Sequence, residues 1–177
     1  MKEYQILGNK IQMASFITEI NDPNKTINMI QDVSSRCNNG NCTIQIINAQ
    51  GIAGEKHLLQ AIYQALKAFD RGENISKDLG LEICVRASFQ RQISRALQIL
   101  GIKKGENSVY VLVINGDNQV LSQIMEILGK NHEEVFEVDT NINTLKNIYK
   151  VNDKEIAAAG NIERVMIERT ALLSLEI

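Results

Sequence analysis

Five basic side chains follow one another in the middle of this 177-residue chain with no carboxylate between them. They are Arg86, Arg91, Arg95, Lys103 and Lys104. The acid-free stretch that holds them runs from Ile83 to Gly105. Guanidinium and ammonium groups bind phosphate oxygens, so such a run is a candidate polyanion-binding face. The alternative is a solvated surface whose partners are acids elsewhere in the fold, such as Glu55 or Asp70.

Flat and amide side chains lie in the same region of sequence, namely Tyr63, Phe89 and Gln92. Arginines with flat neighbours suit the exposed bases and phosphates of single-stranded RNA better than a regular duplex. His57 stands at the edge of a strong predicted helix. We interpret it first as a packed or hydrogen-bonded histidine, because histidine is intermediate in burial, and second as a functional group.

Motifs that would indicate catalysis or nucleotide binding are absent from the sequence. It contains no GxGxxG, GxxxxGK[ST], HExxH or GxSxG. His132-Glu133-Glu134 is interpreted as a solvated charge cluster. Cys37, Cys42 and Cys84 make an odd count, and neither histidine stands at a zinc-ligand spacing from a cysteine. The sequence therefore predicts no catalytic residue, metal or cofactor.

The arginines need an element that presents them, and the stretch SFQRQISRALQILGI (residues 88–102) has helical periodicity. At 3.6 residues per turn, the predicted core stripe is Ile93, Ala96, Leu97 and Leu100. Arg91, Arg95 and Gln98 fall on the opposite side of the same helix. Repulsion between Arg91 and Arg95 costs a few tenths of a kcal/mol.

Strand and helix signals alternate along the chain. Strands are predicted at Tyr4–Leu7, Ile11–Ile17, Thr43–Asn48 and Val109–Ile114, with a further acidic strand at His132–Val138. Helices are predicted at about 22–36, 55–69, 78–86, 88–102, 118–128, 141–149 and 153–159, with a last one from Asn161. We expect a mixed α/β (α+β) two-layer fold, with helices packed on a sheet of four to five strands and a C-terminal helix. Residues 1–177 are expected to form a single domain.

The net charge of -2 hides an uneven distribution. Residues 44–105 hold nine Lys/Arg against five Asp/Glu, whereas residues 106–177 hold six against twelve. Such segregation concerns partners rather than fold. No apolar run approaches the ~20 residues of a membrane helix, and no secretory signal begins the chain. We therefore expect a cytoplasmic protein without a membrane partner.

The end of the chain, NIERVMIERTALLSLEI, is apolar nearly all round if it forms a helix. One interpretation is that this helix is buried in its own domain. The other is that one side of the helix packs against its own domain and a partner protein covers the remaining apolar side.

The order and spacing of several short pieces resemble the PRPK-binding protein family, which provides the small regulatory subunit of the KEOPS complex. The pieces are Ala53-Gly54 followed by His57-Leu58, then Leu81-Glu82, Arg91-Gln92-Ile93 and Gly101-Ile102, within residues 44–114. Phe89 is a departure, because family members usually carry Gly ahead of the Arg-Gln-Ile.

The resemblance implies a non-catalytic subunit of the complex that installs threonylcarbamoyl on a tRNA adenosine. It implies binding to a kinase-like ATPase subunit through the C-terminal helix, to the single-stranded 3′ end of tRNA, and indirectly to other KEOPS subunits. The predicted RNA-binding residues are His57, Arg86, Arg91, Arg95, Lys103 and Lys104. The predicted partner-binding residues are Ile162, Val165, Met166, Arg169, Leu172 and Leu173. Two alternatives stay open: a small enzyme with a site near His57, and a structural adaptor without RNA contact.

Overall fold

The structure, a computed structural model, describes residues 1–37, 41–117, 119–132 and 142–173. Its strands are β1 (Lys2–Ile6), β2 (Asn9–Ile20), β3 (Thr43–Asn48) and β4 (Gly105–Ile114). Its helices are α1 (Pro23–Arg36), α2 (Glu55–Arg71), α3 (Leu79–Ser88), α4 (Ile93–Leu100), α5 (Val120–Leu128), α6 (Ile142–Tyr149), α7 (Asp153–Ala159) and α8 (Ile162–Leu173). A 3₁₀ turn, Ala49–Gly51, follows β3.

The chain divides into two compact units, each made of two separate segments. Unit 1 comprises the described residues of Met1–Ala49 and Gly101–Val135, and unit 2 those of Gln50–Leu100 and Phe136–Ile177. No linker in the sequence marks this division, because each unit is assembled from two separate segments of the chain.

Unit 1 contains an antiparallel sheet in the order β1-β2-β4-β3. The β-branched run of β4 lies between β2 and β3, so that Val111 pairs with Ala14 on one side and Ile46 on the other. The turn from β1 to β2 consists of Leu7 and Gly8, whose φ angles are +49° and +79°. Positive φ at both positions is the geometry of a two-residue hairpin. The strand predicted at Ile11–Ile17 therefore begins earlier, at Asn9, and extends to Ile20.

Helices α1 and α5 build the core of unit 1 with the sheet. The Asp22 side chain accepts from the Lys25 amide at 3.1 Å, and Pro23 opens α1, so the predicted helix start is confirmed. The buried cluster joins the two helices to three strands. It includes Ile30, Val33, Ile124, Leu128, Phe16, Val111, Val113 and Ile46.

Unit 2 is helical in its described residues and centres on α2. Leu58, Ala61, Ile62 and Ala65 are buried along one stripe, and Gly72 ends the helix in the left-handed conformation. Phe69 falls on the same stripe by helical spacing, but it lies in the last turn and is 36% exposed. At the other end of α2, where no side chain of its own caps the helix, Glu163 of α8 accepts from the Lys56 amide at 3.0 Å.

The predicted fold class is confirmed: the chain has a mixed α+β fold with a four-stranded sheet and a C-terminal helix. Most of the predicted acidic strand, from residue 133 onward, lies outside the described residues. No helix in the described part of the chain is long and apolar enough to cross a membrane.

Candidate functional site

Helix α4 presents the basic face of unit 2. Ala96 and Leu100 are buried and Ile99 is half-buried, whereas Arg91, just before the helix, and Arg95 are exposed, as predicted. Leu97, placed in the core stripe by the sequence, is 39% exposed. The buried side is centred on Ala96, and the next residue along a helix is rotated from it by about 100°. The outer side of α4 therefore combines guanidinium and amide groups with one leucine.

Lys103 and Lys104 are exposed in unit 1, immediately before β4. Buried Asn107 fixes their backbone: it accepts from the Lys103 amide at 3.0 Å and donates to the Lys103 and Gly105 carbonyls at 2.7 and 2.8 Å. The two lysines are thus held on a defined turn.

Arg86 does not lie at the surface. It is buried in α3, where its Nε donates at 2.7 Å to Oε1 of Glu82, which is also buried. The second oxygen of Glu82 accepts from the Ile75 and Ser76 amides at 2.9 and 2.8 Å. The prediction that Arg86 extends the exposed basic face was wrong, because this ion pair and its backbone bonds hold the loop before α3. The spacing of four between Glu82 and Arg86 within an apolar helix was the available signal.

His57 is fully buried, and the backbone uses both of its ring nitrogens. The Ala53 amide donates to Nδ1 at 3.1 Å, and Nε2 lies 3.0 Å from the Ala87 carbonyl, so Nε2 carries the proton. Burial lowers the pKa of His57 to about 4, although the bond to Ala87 opposes the shift. The interpretation as a packed, hydrogen-bonded histidine is confirmed. Its placement among the RNA-binding residues was wrong, since no ring atom is accessible.

Phe89 ends α3 in the left-handed conformation, at φ +56° and ψ +28°. Glycine adopts this conformation freely, and a side chain with a Cβ does so at a cost. The ring stacks on His57 at 5.7 Å between centroids and meets Tyr149 edge-on at 5.2 Å. Position 89 therefore keeps the backbone geometry that Gly prefers, and the ring fills a place among aromatic neighbours.

An open cleft of about 420 Å³ lies beside Phe89 in unit 2. Its lining residues are Phe89, Gln90, Ile148, Tyr149, Lys150, Arg169, Leu172 and Leu173. Arg169 donates to the Tyr149 carbonyl and to Glu155, each at 2.7 Å. The cleft therefore has a mixed lining, in which apolar and aromatic side chains lie beside the polar Gln90, Lys150 and Arg169.

Helix α8 has one buried side and one exposed stripe. Ile162, Val165 and Met166 belong to a core cluster with Leu145 and Tyr149. Leu173 is also buried, and Arg169 is partly covered, with 28% of its side chain exposed. Leu172 alone of the six predicted partner-binding residues is mainly exposed, at 55%. Four of the six are thus buried in the chain's own core, namely Ile162, Val165, Met166 and Leu173.

The described part of unit 2 thus presents two exposed basic residues, Arg91 and Arg95, and an open cleft of mixed polar and apolar lining. Within the described ranges, no group of three His, Cys, Asp or Glu side chains is placed to hold a metal ion. The model of the family "Kinase binding protein CGI-121" matches residues 17–174, and the chain belongs to this family.

Curated relatives agree with the family match. Regulatory protein Cgi121 of Methanocaldococcus jannaschii is 34% identical over 134 residues, which are 75% of this chain and 83% of that protein. KEOPS complex subunit Cgi121 of Pyrococcus abyssi is 32% identical over 95 residues. That match covers 54% of this chain and 53% of the relative.

Proposed function

We propose that this chain is a non-catalytic regulatory subunit of a KEOPS-type complex for tRNA threonylcarbamoyladenosine modification. The observation that carries the proposal is the family match over residues 17–174, supported by a relative named as a KEOPS complex subunit. In this role the chain binds a kinase-like ATPase subunit directly and the other subunits indirectly. No cofactor takes part in its action, and it acts in the cytoplasm.

Helix α8 is the proposed docking element for the kinase-like subunit. Its exposed stripe is Arg164, Glu168 and Leu172, one residue per turn on the side away from the core cluster. Leu172 also lines the cleft, so a partner side chain placed there would reach the apolar lining beyond the helix. An exposed leucine beside an open cleft of mixed lining supports a protein contact.

The outer side of α4 is the proposed contact for the single-stranded 3′ end of tRNA. Arg91 and Arg95 would engage phosphates, and Gln98 offers an amide for base edges. Within unit 1, Lys103 and Lys104 are proposed as a separate contact for RNA phosphates. The competing enzyme hypothesis loses its support, because His57 is buried and both of its ring nitrogens are used by the backbone.

The direct test is co-purification. The tagged chain, expressed in its native cell, should retain a kinase-like ATPase and the other KEOPS subunits. The purified chain should bind tRNA with an affinity that falls with salt, and should neither bind nor hydrolyse ATP. Partner binding without tRNA binding would identify a structural adaptor. Micromolar ATP affinity with turnover would contradict the non-catalytic role.

A further inference from the structure

Two helices of unit 2 end beside the open cleft, and the residue after each helix has a left-handed backbone conformation. Helix α3 is followed by Phe89, with φ +56°, and helix α6 by Lys150, with φ +53°. Both residues line the cleft. In each case the next amide donates to a carbonyl five residues earlier, at 3.3 and 3.2 Å. Glycine is the usual residue in this helix ending, because a Cβ is strained there.

Only one of these two strained residues has a packing reason for its conformation. The Phe89 ring packs against His57 and Tyr149, whereas the Lys150 side chain is exposed. Helices α2, α5 and α7 end at glycine instead. Backbone strain that packing does not explain is typical of ligand-binding positions. The ammonium group of Lys150 is therefore a candidate binding group at the cleft.

The charges around the cleft leave this ammonium group without a carboxylate. The two acids of α7 are used by other cations: Glu155 pairs with Arg169 at 2.7 Å, and Asp153 pairs with Lys146 at 2.6 Å. None of the ion pairs found within the described ranges includes Lys150. An anionic group on a partner is the electrostatic complement of such a cation.

The rest of the lining is mainly apolar. Phe89 and Ile148 are half-buried, Leu173 is buried, and Leu172 is exposed. The volume of about 420 Å³ lies within the range of roughly 300–1,000 Å³ that is common for binding pockets. An aromatic or aliphatic side chain placed in the cleft would contact these apolar groups while its neighbours reach Lys150.

We propose that the cleft binds an acidic, apolar segment of the kinase-like subunit. One aromatic or aliphatic side chain of that segment enters the cleft, and a carboxylate of the segment contacts Lys150. The inference rests on the proposed docking of this subunit at α8, because Leu172 belongs to both surfaces. A protein segment fits better than RNA, since the lining offers several apolar side chains and a single unpaired cation.

The chemistry of the cleft is testable without any partner protein. Hydrocinnamate, which carries a phenyl ring and a carboxylate, is compared with its neutral amide by titration into the isotope-labelled full-length chain. The backbone signals of Gln90 and Lys150 should shift, with hydrocinnamate binding at least about threefold more tightly than the amide. Lys150→Glu should abolish this difference. Equal binding of the acid and the amide, or shifts with adenosine monophosphate and none with hydrocinnamate, would overturn the proposal.

Binding to the purified kinase-like subunit of the same organism is the second test. Lys150→Glu should weaken binding at least about fivefold, because attraction to a carboxylate becomes repulsion. Lys154→Glu is the matched control: this lysine is exposed on α7 and does not line the cleft, so its variant should keep full affinity.

Lys150→Gly separates binding from a purely structural role. Glycine adopts the left-handed conformation without strain, so this variant should melt about 2 °C higher or more. It should nevertheless bind the kinase-like subunit more weakly, because the ammonium group is lost. A variant that keeps full affinity would contradict the proposal.

Failure of this inference differs from failure of the proposed function. Full affinity in Lys150→Glu together with loss in Leu172→Asp would leave α8 as the docking helix and overturn the cleft contact. Equal losses in Lys150→Glu and Lys154→Glu would show a response to net charge alone and would also overturn it. A natural chain that does not bind the kinase-like subunit would contradict the proposed function, and with it the assignment of this partner to the cleft.

Discussion

Arg91 and Arg95 project from unit 2 with exposed side chains, whereas Arg86, one helix earlier, is neutralised by Glu82 inside the protein. Removing one partner of such a buried pair costs roughly 3–5 kcal/mol, because the other charge is left uncompensated. Arg86 is thus held inside the fold, and the proposed phosphate contact of this unit uses Arg91 and Arg95 instead. Arg86 therefore carries its charge inside the protein, whereas Arg91 and Arg95 carry theirs at the surface.

The double substitution Arg91→Glu/Arg95→Glu should weaken tRNA binding at least tenfold, about 1.4 kcal/mol, because attraction to two phosphates becomes repulsion. The slope of log affinity against log salt should become shallower. Filter binding at two salt concentrations measures both effects, and circular dichroism should show an intact fold. Removing the unpaired 3′ nucleotides of the tRNA should have the same effect as the substitution.

Lys25→Glu/Arg36→Glu is the matched control for this experiment. It changes the net charge by the same amount, and both residues are exposed on α1 in unit 1. Equal losses in the two variants would mean that tRNA responds only to net charge. Unchanged affinity in the α4 variant would show that the acid-free run is a solvated face.

At the scale of elements, the junction between α3 and α4 depends on one unusual backbone conformation. Phe89 at φ +56° breaks the predicted single helix of residues 88–102, so that α4 starts only at Ile93. The left-handed backbone conformation of Phe89 destabilises the fold by roughly 1–2 kcal/mol. Packing of its ring against His57 and Tyr149 stabilises the fold by a similar or larger amount. Phe89 is therefore the source of both the backbone strain and the aromatic contacts that offset it.

Replacing Phe89 separates these two contributions. Both Phe89→Gly and Phe89→Ala lose the ring and should lower the free energy of unfolding. The alanine variant keeps the strained φ, so it should be less stable than the glycine variant by about 1 kcal/mol. Chemical denaturation of the two variants measures this difference. An alanine variant as stable as the glycine variant would show that the junction relaxes to another conformation.

Helix α8 makes the distinction between core and docking residues testable. Leu172→Asp should reduce binding to the kinase-like subunit at least tenfold while the chain stays folded, because the side chain is exposed until a partner covers it. Val165→Asp, at a buried position of the same helix, should instead unfold unit 2. Pull-down and thermal melting of each variant provide the two measurements.

Leu7→Asp is the control for the effect of an exposed Leu→Asp change itself. Leu7 is 50% exposed in the β1–β2 turn, and Asp tolerates its positive φ better than Leu does. This variant should keep full partner affinity. If Leu172→Asp also keeps it, the exposed stripe of α8 is not the docking surface.

At the scale of the whole molecule, the features that follow from local sequence were predictable. The β-branched runs of β3 and β4, the Asp22-Pro23 helix start and the end of α2 at Gly72 all depend on neighbours in the chain. The exposure of Leu97 and the buried side of α8 depend on tertiary partners, which periodicity does not reveal. The ion pair of Arg86 is a local feature, because Glu82 lies four residues earlier in the same helix. Of the predicted site residues, those with exposed side chains are Arg91, Arg95, Lys103, Lys104 and Leu172, and their binding roles stay predictions.

The stability of the whole chain should depend on pH through His57. Burial lowers its pKa to about 4 in the folded state, whereas an unfolded histidine titrates near pH 6.5. Between these values the unfolded chain binds more protons, so stability is complete above about pH 6.5 and falls as the pH drops towards 4. From about pH 7 to pH 5 the loss should be about 2 kcal/mol. The lowered pKa values of Glu3 and Glu155 contribute as the pH falls through about 4.5, at the acid end of this window.

Urea denaturation at a series of pH values between about 5 and 7 measures this dependence directly. His57→Gln should abolish most of the slope, even though it lowers stability at every pH by breaking the bonds to Ala53 and Ala87. His132→Gln is the matched control, because the chain has two histidines and this one is exposed. It should keep the slope of the natural chain. A slope that survives in His57→Gln, or disappears in His132→Gln, would show that another group titrates on folding and that His57 is not held neutral by its burial.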